Sequence, residues 1–177
     1  GEYVAADFNS SSGGRITEMP NGQYFYGYKR FNANGAHDLS FGYPDLPHYG
    51  FSDWHVFSDR MVLVAGMFKL EEDGLIEHGL IRVDEWGEFD PTFTARKIGP
   101  GTSRIVDRII PVSNDQFILS GSFTTYEGEF SGPIIRVNAD GSRDHGFYFP
   151  AWKGEVARVL EQPDGKLILG GRFFMND

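Results

Sequence analysis

The 177-residue sequence predicts an all-β fold, a β-propeller of four-stranded antiparallel blades, and three observations predict it. One phrase recurs: an apolar strand carrying Arg, a turn of Asn or Asp with Gly, then an Asp, then a Phe. Its copies run Lys29-Arg30-Phe31-Asn32-Ala33-Asn34-Gly35-Ala36-His37-Asp38-Leu39-Ser40-Phe41, then Ile81 to Phe93, then Ile135 to Phe147. The closing Phe returns after a little over fifty residues, a spacing typical of propeller blades. A second phrase lies between these copies: a strand, a polar turn, another strand and Gly-x-Phe. Finally, no window carries a sustained i, i+3, i+4, i+7 apolar stripe with a helix cap.

Taken in order, residues 1–13 read as the end of a preceding unit or a linker, with Phe8 as its candidate closing aromatic. Residues 14–41 form a short first repeat, in which Met19-Pro20-Asn21-Gly22-Gln23-Tyr24-Phe25-Tyr26-Gly27 keeps the hairpin but lacks the Phe two residues after Gly. Residues 55–93 form the second repeat, with Gly66-Met67-Phe68 at the end of its hairpin. Residues 105–147 form the third, with Gly121-Ser122-Phe123. Residues 156–177 hold the first half of a fourth, where Pro163-Asp164-Gly165 marks a two-strand connection because Gly accepts the positive φ it needs. Three units and a half fall short of the about four to eight blades of a closed propeller. The expectation is therefore a segment of a longer propeller.

The best preserved stretch, Asn138-Ala139-Asp140-Gly141-Ser142-Arg143-Asp144 through Phe147 and then Leu160-Glu161-Gln162-Pro163-Asp164-Gly165-Lys166-Leu167-Ile168-Leu169-Gly170-Gly171-Arg172-Phe173, resembles the delta-60 β-propeller repeat. That resemblance implies a propeller of the kind found in bacterial exported or surface proteins and in some phage virion proteins. It brings no catalytic residue to any position of this chain. The likeness fades toward the N-terminus, where Trp86 stands in place of a turn acid.

Composition narrows the classes. With 25 acidic residues against 16 basic ones the net charge is −9, and without a basic patch a phosphate backbone would be repelled, so no nucleic-acid partner is expected. No run approaches the roughly 18 apolar residues of a spanning helix, and no membrane insertion is expected. The absence of Cys removes disulfides, thiolate metal sites and thiol nucleophiles. The 23 Gly and 16 Phe suit many short strands joined by tight turns around aromatic packing.

The candidate metal set is Asn138, Asp140 and Asp144, oxygen donors at a spacing reminiscent of calcium loops. Against calcium stands the turn chemistry itself, since Asn and Asp bond to turn backbone without an ion, and Trp86 interrupts the donor pattern in the second copy. His37, His48, His55, His78 and His145 match no paired-ligand spacing. Glu71-Glu72-Asp73 reads as a solvated loop tip rather than an opposed acid and base. No catalytic or cofactor-binding residue is assigned.

The segments that vary between copies are where function is expected: the insertions 69–78 and 124–132, and the connections 42–54, 94–104 and 148–155. Tyr49, Phe51, Trp54, Tyr126, Phe130, Phe149 and Trp152 lie in them. Of these, Trp54, Tyr126, Phe130 and Trp152 are the partner-binding candidates if exposed, and inter-blade packing if buried. The sequence thus points to a non-catalytic structural or binding module that offers variable loops to a glycan or protein, or to neighbouring blades, on a cell surface or in a virion. Two alternatives stand beside it: a propeller-type carbohydrate-active enzyme with acids converging on a central channel, and a purely architectural scaffold.

Overall fold

A computed structural model describes residues 15–27, 29–42, 48–69, 76–99, 106–149 and 153–174. Among these residues every regular element is a β-strand, and no helix is present. The first unit holds β1 (Thr17–Glu18), β2 (Tyr24–Tyr26) and β3 (Lys29–Phe31). The second holds β4 (His48–Val56), β5 (Val62–Lys69), β6 (Ile76–Val83) and β7 (Arg96–Gly99). The third holds β8 (Val106–Val112), β9 (Gln116–Gly121), β10 (Thr125–Tyr126), β11 (Glu129–Phe130) and β12 (Ile134–Val137). The fourth is the hairpin of β13 (Lys153–Glu161) and β14 (Leu167–Phe174).

Each unit is an antiparallel meander, in the orders β1-β2-β3, β4-β5-β6-β7, β8-β9-β12 and β13-β14. The four sheets form no closed ring among the described residues. The central strands β5 and β9 are buried on both faces, and the period-2 alternation of side chains sorts their residues between two neighbours. In β5, Val62 and Val64 pack back against Met19, Phe25, Phe41 and Trp54 of the first interface, while Leu63 and Ala65 pack forward. In β9, Phe117 and Leu119 point back to join Leu63 and Leu80, and Ile118 points forward to meet Ile134 and Val156. Leu167, Leu169 and Phe173 of the last hairpin complete that third interface. The core is thus three inter-sheet layers, one between each pair of units.

Two features differ from the expected layout. The second sheet runs from His48 to Gly99, so the segments expected as connections contain β4 and β7. The strand signal of β4 is broken by register shifts between His48 and Gly50 and between Phe51 and Asp53, which spoil its alternation. Matching bulges fall at Val106/Arg108 and Val156/Arg158 in the first strands of the next two units. The insertion 124–132 is a strand pair, and it joins the sheet of the unit before it. Its strand β10 pairs with β7, placing Thr125 opposite Gly99 and Tyr126 opposite Ile98.

Candidate functional site

The recurrent phrase builds one device three times. The Arg Nε donates to the Asp Oδ2 eight residues on, at 2.9 Å for Arg30–Asp38, 2.6 Å for Arg82–Asp90 and 2.8 Å for Arg136–Asp144. The same guanidinium lies over the closing ring, 5.0 Å from the centre of Phe41, 5.2 Å from Phe93 and 5.1 Å from Phe147. The second Asp oxygen accepts the backbone N–H two residues later, from Ser40, Thr92 and Gly146. Arg, Asp and Phe recur together because they form a clasp that folds the turn back on its strand.

An amide from the neighbouring hairpin joins two of the clasps. Gln23 Nε2 donates to Asn32 Oδ1 and Asp38 Oδ2, and Gln116 Nε2 donates to Asn138 Oδ1 and Asp144 Oδ2. In the second unit Met61 occupies this place, and Asp84 instead accepts the N–H groups of Trp86 and Glu88. Burial pushes Asp38 upward, but bonds from Ser40, Gln23 and Arg30 outweigh it and hold the carboxyl at about 2. Asp90 and Asp144 are held below the usual value by the same balance.

These bonds give the calcium candidates another role. Asp144 is engaged by Arg136, Gln116 and Gly146, Asp140 accepts both the N–H and the hydroxyl of Ser142, and Asn138 bonds Gln116 and Ser142. Both Asp144 oxygens, one Asp140 oxygen and the Asn138 oxygen thus accept from protein donors, which gives the three residues a part in the turn and clasp. Among the described residues no cluster of three or more His, Asp or Glu is placed to hold a metal ion.

The turn glycines lock one unit onto the one before. Gly87 and Gly141 hold φ of +90° and +77°, and an added Cβ would lie 2.0 Å from the Gly42 oxygen or 2.6 Å from the Phe93 ring. The Trp86 ring, half exposed, lies 5.8 Å from the Arg30 guanidinium of the preceding unit, so it carries an inter-unit contact in place of an acid. The backbone oxygen of Glu85 accepts from the same Arg30, and that of Asp140 accepts from Arg96.

Two of the four partner-binding candidates are core residues. Trp54 is 1% exposed, stacks edge-on against Phe25 and Tyr26, and donates its indole N–H to Thr17. Tyr126 is fully buried and donates its hydroxyl to the Gly141 oxygen, with burial raising its pKa. Both lie in regions that look like loops by sequence but are strands facing an inter-sheet layer. Phe130 is 62% exposed at the end of β11, opposite Thr125 and away from the turn of the β10–β11 pair. Trp152, the Glu71-Glu72-Asp73 run and the side chains of His48 and Tyr49 lie outside the described residues. Phe51 packs on Phe68, and His55 is wedged between Phe57 and Phe117, where burial lowers its pKa. Among the described residues no histidine joins a group placed to hold a metal ion.

What the structure brings together is a cleft of about 310 Å³ on the third unit, lined by Phe130, Ser131, Ile134, Ile135, Arg143, Phe147, Tyr148 and Phe149. Tyr148 is 84% exposed at its mouth. Arg143 Nη1 donates to the Phe130 oxygen at 2.9 Å and reaches Glu129 at 3.3 Å, which fixes β11 beside the cleft. Sequence reasoning picked out Phe130 and Phe149 but not their neighbours. The available signal was the run Phe147-Tyr148-Phe149-Pro150, which replaces Phe93-Thr94-Ala95-Arg96 of the preceding unit.

One buried acid lies apart from the clasps. Asp53 is 3% exposed, its Oδ2 accepts the Ile109 N–H of the next unit at 2.7 Å, and burial raises its pKa despite that bond. It ties β4 to β8 at the position of the bulge.

Antiparallel sheets packed in succession, three of them carrying the same clasp, give the described residues a propeller-type repeat organisation. Residues 113–147, from the β8–β9 turn through the third clasp, match a family described as a domain of unknown function (DUF5122) beta-propeller. No curated protein and no solved structure matches the chain.

Proposed function

We propose that this chain is a non-catalytic propeller module that presents the variable surface of its third unit to a protein or glycan partner, on a cell surface or within a virion or tail assembly. The observation that carries this reading is the contrast between repeated and unrepeated residues. The repeated charges are consumed by the clasps, whereas the unrepeated Phe130, Tyr148 and Phe149 gather around one cleft with two rings largely exposed. Exposed aromatic rings at a concave surface are the usual anchors of protein and sugar contacts. Against an enzyme stands the environment of Asp53. It is the carboxylate whose pKa is raised among the described residues, and its oxygen is spent on a backbone amide between units. The proposed location follows only from what the resemblance of residues 138–173 to the delta-60 repeat implies.

The test is to probe the immobilised 177-residue chain with defined glycan and peptide panels, and to repeat it with Phe130→Ala/Tyr148→Ala. Specific capture that the double variant loses, with its circular dichroism unchanged, is the expected result. Capture unaffected by the double variant removes the cleft from the reading. Release of reducing ends from a polysaccharide, abolished by Asp53→Asn, would replace it with the enzyme.

A further inference from the structure

The clasps use one edge of a guanidinium to grip oxygen. Arg30 gives Nε to Asp38 Oδ2 and Nη2 to the Ser40 hydroxyl, and Arg82 gives the same two nitrogens to Asp90 Oδ2 and the Thr92 hydroxyl. Arg143 is engaged differently. Its Nη1 donates to the Phe130 oxygen and reaches Glu129 Oε2, and among the described residues no acceptor meets its Nε or Nη2. The side chain keeps 22% of its surface exposed. The edge that holds a carboxylate in the clasps is therefore uncommitted in Arg143.

Arg143 is the one charged residue in the wall of the aromatic cleft, beside the exposed rings of Phe130 and Tyr148. Arg143 and Tyr148 are particular to the third unit. The place before the clasp Asp holds His37 and Phe89 in the other two copies, and the place after the closing Phe holds Gly42 and Thr94. At Arg136 and Val137 the backbone of β12 is already engaged, since Val137 bridges to Arg143 and the Asp144 N–H donates to the Arg136 oxygen. Beside Arg143 a ligand thus meets side chains, namely rings and a guanidinium.

We propose that the cleft binds a sugar that carries a carboxylate, with the pyranose stacked on the Tyr148 ring and the carboxylate held by the Nε and Nη2 edge of Arg143. The inference rests on the binding-module reading and makes its partner an acidic glycan. A planar guanidinium and a planar carboxylate match through two parallel hydrogen bonds. The negative face of an aromatic ring attracts the polarised C–H groups of a pyranose. Glu129 lies on the Nη1 side at 3.3 Å and leaves the other edge to the ligand. The net charge of −9 opposes an anion at long range, but salt screens that field beyond about 8 Å while the guanidinium acts in contact.

The experiment titrates the isotope-labelled 177-residue chain with two matched pairs, tetragalacturonate against its full methyl ester and sialyllactose against lactose, and follows backbone amide and arginine Nε signals. Saturable shifts at Arg143 and Tyr148 are expected, with at least one acid bound about tenfold more tightly than its neutral counterpart. The pair that shows the preference tells a uronate from a sialate. Arg143→Gln should erase the preference and keep the weaker neutral binding, whereas Tyr148→Ala should weaken acid and neutral forms alike. Equal affinity within both pairs for the unaltered chain overturns the inference, whether or not either variant folds. A preference that survives Arg143→Gln overturns it too. Capture of a peptide at the cleft while no sugar gives a shift overturns it as well, but leaves the binding module standing. Absence of any ligand from every panel removes both.

Discussion

The second and third units share a clasp and differ at the rim. Arg82, Asp90 and Phe93 superimpose in role on Arg136, Asp144 and Phe147, with ion pairs of 2.6 and 2.8 Å and nearly equal ring distances. At the outer edge, one unit is filled by β7 and sealed by β10–β11, while the other opens into the aromatic cleft. The comparison teaches that the interior of each unit is fixed by stacking on its neighbours, and that the rim is where the units are free to diverge.

The largest effect is expected where two units share a layer. Phe117 is 3% exposed and packs on His55 and Phe57 of the preceding unit, so Phe117→Ala should cost about 3–5 kcal/mol in urea unfolding. Phe130→Ala at the rim should cost under about 0.5 kcal/mol, since surface changes away from buried contacts rarely cost more. Equal costs would break the division between interior and rim.

The next comparison sets one turn glycine against another. Gly141 and Gly165 hold similar φ, +77° and +79°, but an added Cβ meets the Phe93 ring at Gly141 and open space at Gly165. Gly165→Ala should cost about 1 kcal/mol for the left-handed backbone alone. Gly141→Ala should cost about 2–4 kcal/mol because a buried ring must also move. Thermal unfolding of the two variants reads the difference directly.

Acid should loosen the clasps. Asp38, Asp90 and Asp144 have lowered folded pKa values, so they stabilise the fold above the ordinary Asp value of 3.8. That contribution is lost as pH falls from 3.8 to about 2, where Asp38 protonates in the fold. Asp53 has the opposite sign, because its raised pKa makes ionisation a cost that acid relieves. Urea midpoints should therefore drop between pH 4 and pH 2, and Asp90→Asn should shrink the drop.

The smallest effect concerns Ser120, fully buried with a hydroxyl that has no hydrogen-bond partner. Ala65 holds the equivalent place in the second unit. Ser120→Ala should leave stability unchanged or raise it by up to about 1 kcal/mol, since no bond is lost and a desolvated hydroxyl is removed. A loss above that size would reveal a bond to the hydroxyl.

The repeat made the clasp visible in sequence, because Arg, Asp and Phe must recur at fixed offsets to meet one another. The hairpins at Gly22 and Gly165 were equally visible, since a positive φ selects Gly. The first strands were harder to see: Ser52, Asp107 and Ala157 sit in bulges that reset the alternation on which strand reading depends. Trp54 and Tyr126 looked available because their segments vary between copies, but variation there reflects a changing fit between units. The cleft was least legible, as Phe130 and Tyr148 line one cleft where Arg143 of the third turn holds β11. No local pattern encodes a contact of that kind.

The crossing of β10 to β7 also bears on how the chain is made. The edge of β7 is sealed by residues 125–126, which belong to the next unit along the chain. During synthesis the second sheet must wait, one edge bare, until most of the third unit has left the ribosome. The second unit is finished by its successor, so the folding of these two units should overlap in time.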